Sequence, residues 1–322
     1  MRVGLVGAGA IAQSWLEAIR TSDRAQLVAV ADNVLDAATQ AAEPFGASVH
    51  PDLTSLLSSV EIDLLVVSTP PATHADLAVE ALGRDVSVLC EKPLSVTVDA
   101  AAKMVEAAHA SAGMLTMASK FRFVDAVVQA RSMVTSGMFG EIVWMRNTFS
   151  APVDMQHRWN SDPAVSGGGV LIDNGAHSVD LCRYLLGPVT SVLAIEARRH
   201  RDLGVEDTVQ LLLKTESGAM ATINLSWSLR SSGEHYIELD GTSGHVAIGW
   251  RSSRFMTDSA PGWAEFAAPY SKHDAFGRNL DNVLDALEGG GDPLVRPEDA
   301  LASVHVIDAA YRSLAAGCWI DV

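Results

Sequence analysis

Three short stretches of the 322-residue chain hold side chains suited to moving a proton or stabilising an oxyanion. Cys90-Glu91-Lys92-Pro93 puts a lysine at the end of an apolar run. An ammonium there can hydrogen-bond a substrate hydroxyl and stabilise developing alkoxide charge, with Glu91 holding or tuning it. Gly167-Gly-Gly169-Val-Leu-Ile-Asp173-Asn-Gly-Ala-His177 sets a carboxylate and an imidazole four residues apart. On a helix the two share a face, and a carboxylate that fixes the imidazole tautomer and supports its cation makes a general base. Two other readings compete: Asp173 as a plain helix cap, or Asp173, His177 and Asp180 as metal ligands. The sequence supplies no clear third and fourth neutral ligand, so no metal is expected. The third stretch, Ser68-Thr69-Pro70-Pro71-Ala-Thr-His74, follows another apolar run. It offers His74 as a ligand contact, with an ordinary proline-containing loop as the alternative.

The chain opens Arg2-Val-Gly-Leu-Val-Gly7-Ala-Gly9-Ala10-Ile11-Ala12, and Asp32 closes the next apolar run, Leu27-Val-Ala-Val-Ala31. Strand, glycine turn, helix and a second strand ended by an acid make a dinucleotide-binding unit. Gly7 permits the tight turn, Gly9 lets backbone approach a pyrophosphate, and Ala12 takes the third small position. The free N–H groups opening the helix face the anion. Asp32 stands where it accepts hydrogen bonds from the adenosine ribose. No lysine or arginine lies between Arg24 and Arg84, so the cofactor expected is NAD and not NADP.

The elements that position these residues follow from patterning. Apolar runs at 2–6, 27–31, 63–68, 86–90 and 115–119 read as strands buried on both faces of a parallel sheet. Helices at about 11–20, 35–45, 74–82 and 98–112 alternate with them, giving an α/β, doubly wound Rossmann sheet. After a helix near 124–136 the pattern changes. Strands at 141–150, 189–199, 206–215, 219–227, 234–241 and 244–250 succeed one another on short turns, so a mostly antiparallel, open-faced sheet is expected. Helices return at 275–288 and 297–316. The domain boundaries expected are 1–121, binding NAD, and 122–322, binding substrate and joining subunits.

A net charge of −16, spread along the chain, disfavours nucleic acid and anionic membrane as partners. No apolar run reaches the length of a membrane span, and the N-terminus starts directly into a strand, with no leader pattern. Cys90, Cys182 and Cys318 are too few and scattered for a disulfide frame. A cytoplasmic protein is expected.

Taken in order, these segments resemble the glucose–fructose oxidoreductase, inositol dehydrogenase and rhizopine-catabolism (Gfo/Idh/MocA) family. The resemblance runs over essentially the whole chain: the glycine fingerprint, Thr69-Pro-Pro-Ala-Thr-His74, Glu91-Lys-Pro93, Lys120-Phe-Arg122-Phe, the glycine run with Asp173 and His177, and the late sheet. It implies a catalytic set of Lys92, Asp173 and His177, with His177 taking a hydroxyl proton while hydride leaves for the nicotinamide. It implies cofactor contacts from Gly7, Gly9, Ala10, Ile11, Asp32, Thr69, Pro70, His74, Glu91 and Lys92. Substrate contacts are expected from loops around 146–162 and 227–275 and from Arg122, Trp159 and Asn160. Asn160 departs from the Trp-Arg pair frequent in the family, and Trp159 reads as a wall of the site or as core. The function implied is NAD-dependent dehydrogenation of a secondary alcohol of a sugar, cyclitol or related polyol. A homodimer or homotetramer joined by the open sheet is implied as well. Rival functions are an aminocyclitol, aminoglycoside or deoxysugar dehydrogenase or 3-ketoreductase, an NAD-assisted glycosidase, and a non-catalytic ligand sensor. An intact proton-transfer set argues for an enzyme.

Overall fold

The structure, a computed structural model, describes residues 1–231 and 233–322; Ser232, inside the 227–275 stretch expected to touch substrate, lies outside the described residues. The chain divides into two compact units, residues 1–120 with 272–302, and residues 121–271 with 303–322.

The first unit is built on six parallel strands: β1 (Arg2–Val6), β2 (Gln26–Ala31), β3 (Ser48–His50), β4 (Leu64–Val67), β5 (Ser87–Cys90) and β6 (Leu115–Met117). Between them run α1 (Ala12–Thr21), α2 (Leu35–Ala42), α3 (Leu53–Ser59), α4 (His74–Leu82) and α5 (Val98–Ala110). The order β3-β2-β1-β4-β5-β6 is that of a doubly wound dinucleotide fold. Every residue of β4 and β5 is buried, as helices on both faces require. Strand order reverses between β1 and β4, so the loops after these two strands open the crevice where such folds take ligands. The short β3 and α3 add to the elements expected from the sequence; Leu53, Leu56 and Leu57 of α3 stand at helical spacing, and β3 is only three residues long.

The second unit begins with α6 (Asp125–Thr135), β7 (Ile142–Ser150), α7 (Pro163–Ser166) and α8 (Val170–Leu186). Then come β8 (Val189–Glu196), β9 (Thr208–Thr215), β10 (Met220–Ser226), β11 (His235–Gly241), β12 (Gly244–Gly249), β13 (Ser253–Thr257) and β14 (Ala260–Phe266). The chain ends with α9 (Lys272–Leu287), α10 (Pro297–Ala316) and β15 (Ile320–Asp321). The nine strands lie in the order β14-β13-β12-β11-β7-β10-β9-β8-β15. Among the described residues of this sheet only β7 and β10 pair in parallel, so the mostly antiparallel sheet expected is found. Burial alternates: Val209, Leu211, Leu213, Ala221 and Ile223 point to the core, while their neighbours stay partly or fully exposed. On the core side α8 lies against β10 closely enough that a Cβ on Gly175 would stand 3.1 Å from Leu225 Cδ1.

The domain boundary differs from expectation. Residues 272–302 belong with the first unit and not with the rest of 122–322. The cause is the apolar stripe of α9, with Phe276, Leu280, Val283 and Leu284 buried among Trp15, Leu16 and Ile19 of α1. Phe276 meets Trp15 edge-on at 4.6 Å, and Arg24 pairs with Asp285 and Glu288 at 2.8 Å each. Thr116 Oγ1 also donates to the Val295 carbonyl at 2.8 Å. Sequence patterning shows that α9 has an apolar face but not which core receives it.

Candidate active site

The cofactor end rests on one close approach. Gly7 has φ +89°, and a Cβ there would stand 2.8 Å from Ser68 C and Thr69 N. The loops after β1 and β4 are thus in contact. Ser68 Oγ donates to the Gly7 carbonyl at 2.6 Å, and the Gly7 N–H donates to Ala31 O at 2.9 Å. Above this contact Gly9 is exposed, with no atom within 4 Å of where its Cβ would be. Open backbone at the start of α1 suits a pyrophosphate. Asp32 accepts from the Ala8 N–H (2.7 Å) and the Val34 N–H (2.8 Å), which fixes its carboxylate beside the glycine turn. Its remaining lone pairs can take ribose hydroxyls, so these residues fit a bound NAD. Val34 and Leu35 beside it are exposed apolar side chains, not cations.

At the same edge, β5 delivers Glu91 and Lys92. Glu91 is buried; its Oε1 accepts from Trp15 Nε1–H (2.8 Å) and its Oε2 from the Lys92 N–H (3.2 Å). Burial pushes its carboxyl pKa up, while Lys92, Trp15 and Lys120 pull it down. The carboxylate therefore anchors the backbone that carries Lys92. Trp15 is the partner that sequence reasoning missed. No local signal links a helix tryptophan to an acid 76 positions later.

His74 takes a different place from the cofactor contact expected. It is fully buried, with Nδ1 2.9 Å from Pro93 O and Nε2 2.9 Å from Thr69 O. The imidazole ties the loop after β4 to the turn after Lys92, so it acts on the crest from below. Burial pushes its pKa down, against the pull of the carbonyl acceptors. Thr69 and Pro70 remain partly exposed in the loop after β4.

In the second unit, α8 carries both Asp173 and His177, one turn apart. Asp173 sits in the first helical turn, and its N–H donates to Gly169 O at 3.1 Å. The His177 ring meets Phe121 edge-on at 5.0 Å. Phe121 in turn belongs to a cluster with Phe149, Tyr236, Trp250 and Tyr270, at 4.9 to 6.2 Å from their ring centres. These aromatics lie far apart in sequence, and no spacing marks them as neighbours of His177.

Arg122, expected to touch substrate, lies in a buried ion pair. It is buried, its Nε and Nη2 lie 2.7–3.1 Å from the Asp180 carboxylate, and its guanidinium sits 5.0 Å over the Tyr184 ring. A buried charge needs such pairing. This pairing also sets Asp180 against an arginine and not in a metal site. Trp159 is 44% exposed, which removes the core reading, and Asn160 lies beside it in the same short helical turn. Cys90 and Cys182 are buried, with burial raising both thiols, Cys182 to about 12. Among the described residues no group of three or more His, Cys, Asp or Glu side chains could hold a metal ion. Among the described residues no helix is long and apolar enough to cross a membrane.

Two family profiles match the chain. Residues 1–119 match "Oxidoreductase family, NAD-binding Rossmann fold", and residues 127–247 match "GFO/IDH/MocA C-terminal domain". The chain belongs to the Gfo/Idh/MocA oxidoreductases. Its first domain is an NAD-binding Rossmann domain, in keeping with Gly7, Gly9 and Asp32. It is 28% identical to the inositol 2-dehydrogenase of Rhizobium meliloti, over 98% of this chain and 97% of that protein. It is 26% identical to a D-apiose dehydrogenase of Paraburkholderia graminis, over 99% and 88%. Among solved structures it is similar to GenD2 from gentamicin A biosynthesis in complex with NAD. That match has 28% identity and a TM-score of 0.88, covering 100% of this chain and 96% of that one.

Two outcomes follow from this geometry. A 2′-phosphate against Asp32 costs about 1–3 kcal/mol, so NADH binds roughly ten- to hundredfold tighter than NADPH. Fluorescence titration of both cofactors checks this, and Asp32→Ala narrows the gap. For His74, a folded-state pKa below the ordinary ~6.5 means that the unfolded chain binds more protons as pH falls. Its contribution is therefore full above pH ~6.5 and is lost as pH drops below it. The melting-temperature advantage of wild type over His74→Gln shrinks between pH 7 and pH 5; a constant or growing advantage contradicts the buried neutral imidazole.

Proposed function

We propose that this protein is an NAD-dependent dehydrogenase that oxidises a secondary alcohol of a sugar, cyclitol or related polyol, or reduces the matching ketone. The observation that carries it is the pairing of an NAD-binding Rossmann domain with a helix presenting Asp173 and His177. The inositol and D-apiose dehydrogenases among its relatives support the substrate class. Bound NAD supplies the hydride acceptor. His177 takes the proton of the substrate hydroxyl. Asp173, one turn earlier, orients the imidazole and supports its cation. Lys92, held at the end of β5, hydrogen-bonds the reacting oxygen and stabilises its alkoxide character. Trp159 and Asn160 border the substrate. The three free thiols suit a reducing cytoplasm.

Incubation with NAD and a polyol panel tests the class: NADH appears for a dehydrogenase, and a released aglycone or no change rejects it. On the active substrate, His177→Ala lowers turnover by about 10²–10⁴-fold with NADH affinity nearly unchanged. Lys92→Ala also loses rate, and the double variant loses less than the product of the two, since both act on one proton transfer. Near-wild-type turnover in His177→Ala rejects the catalytic assignment.

We further propose that the exposed side of the nine-stranded sheet joins subunits. It presents Trp144, Leu212, Met220 and Ile195, with Ile195 53% exposed, around Arg146 bridging Glu238 and Asp240 at 2.8 Å each. An apolar sheet face of domain size is a liability in a monomer. Light scattering at micromolar concentration gives a dimer or tetramer mass, and Ile195→Glu lowers it; a wild-type monomer contradicts the proposal.

A further inference from the structure

Helix α8 carries the proposed acid–base pair but does not cap its own start. Its N-cap is Gly169, which has no side chain to accept the first free N–H groups. Glu206 supplies what is missing from 37 residues away. Its Oε1 accepts from the Gly169 N–H at 2.9 Å and the Leu171 N–H at 3.1 Å, and its backbone carbonyl accepts from the Val170 N–H at 3.0 Å. Three successive N–H groups are thus taken by one residue. The Tyr311 hydroxyl donates to the same Oε1 at 2.9 Å. Glu206 is buried, and a carboxylate there faces the positive end of the helix. Burial and the adjacent carboxylate both raise the Tyr311 phenol, so it stays a donor.

The glycine run is what admits this arrangement. A Cβ on Gly168 would overlap the Tyr311 hydroxyl, and one on Gly169 would overlap the Glu206 carbonyl oxygen. Asp173 makes its intrahelical bond back to Gly169, and His177 follows one turn later. Any slide or rotation at the helix start therefore moves both side chains.

We infer that Glu206 and Tyr311 are positioning residues for the Asp173–His177 pair, an external cap that fixes where α8 begins. The inference rests on the assignment of Asp173 and His177 to proton transfer. A displacement of about 1 Å at a reacting group costs on the order of 10²-fold in rate. The cap therefore governs turnover and not cofactor binding.

The test uses the full-length enzyme with NAD and the panel polyol that wild type turns over fastest. NADH titration and histidine ring NMR are read alongside, with the His177 signals assigned from their loss in His177→Ala. Glu206→Ala lowers kcat by about 10- to 100-fold, leaves NADH affinity within about twofold, and shifts the His177 ring signals. Glu206→Gln, whose amide oxygen can still accept both helix N–H groups, recovers most of the rate. Tyr311→Phe falls between wild type and Glu206→Ala. A folded Glu206→Ala with wild-type kcat and unmoved His177 signals, beside an inactive His177→Ala, overturns the inference and leaves the catalytic assignment standing. An active His177→Ala rejects that assignment instead, and the ring signals of Glu206→Ala then decide the positional claim alone. If Glu206→Ala does not fold, Tyr311→Phe decides: wild-type kcat with unmoved signals overturns the inference.

Discussion

The contact between Gly7 and the backbone of Ser68 and Thr69 is the constraint on which the cofactor end depends. Strand order reverses between β1 and β4, and the loops beyond them have to meet at that reversal for the crevice to have a floor. Any side chain at position 7 holds them apart, and its φ of +89° disfavours one as well. From this contact the rest follows in short steps. Gly9 is left open above it, and Asp32 is drawn in by the Ala8 N–H. Thr69, fixed from one side by Gly7, is fixed from below by His74, which also holds the turn after Lys92. One imidazole thus links the loop at the cofactor crevice to the loop that carries the lysine.

The parts of this arrangement that were legible in the sequence are those encoded within about thirty residues. Strand β1, the glycine turn, α1 and Asp32 form one local pattern, and buried parallel strands announce themselves as Val- and Leu-rich runs. Asp173 and His177 were legible because helical spacing is local too. What escaped was tertiary. The apolar face of α9 is plain in the sequence, but its partner α1 lies about 260 positions earlier, so the pattern does not show that residues 272–302 belong with the first unit. His74 and Arg122 sit inside recognisable motifs, and both side chains are buried and bonded to neighbouring segments. A motif marks residues that matter without saying whether they face the ligand or the scaffold. Glu206 and Tyr311 carry no signal of their own in the sequence, since the helix start that they meet lies far from both.

Three buried carboxylates show how an acidic chain manages charge near its working parts. Glu91, Asp180 and Glu206 are each out of solvent, and each is met by donors: an indole and a backbone N–H, a bidentate guanidinium, and a helix start with a phenol. Burying an ionised carboxyl without such donors is too costly for a folded domain to carry three times. The donors are also directional. Each carboxylate therefore fixes the element that supplies its donors, and two of the three fix elements bearing proposed catalytic residues: the segment of Lys92 and the helix of His177.

This separates two tasks within the chain. Proton transfer is assigned to residues on regular elements, the end of β5 and the first turns of α8, whose placement is set by backbone and buried carboxylates. Substrate choice is proposed for residues with no such anchoring, among them Trp159 and Asn160 on a short turn where Trp159 is exposed. The Phe121 cluster stands between these cases. Its buried Phe121 meets His177 edge-on, while Trp250 keeps 42% of its surface exposed. A general base works through position, so its surroundings have to be stiff. A substrate pocket has to vary to serve different polyols, so its lining belongs on loops and exposed aromatics. The reaction class is therefore carried by patterns that a sequence displays, and the choice of substrate by contacts that form only after folding.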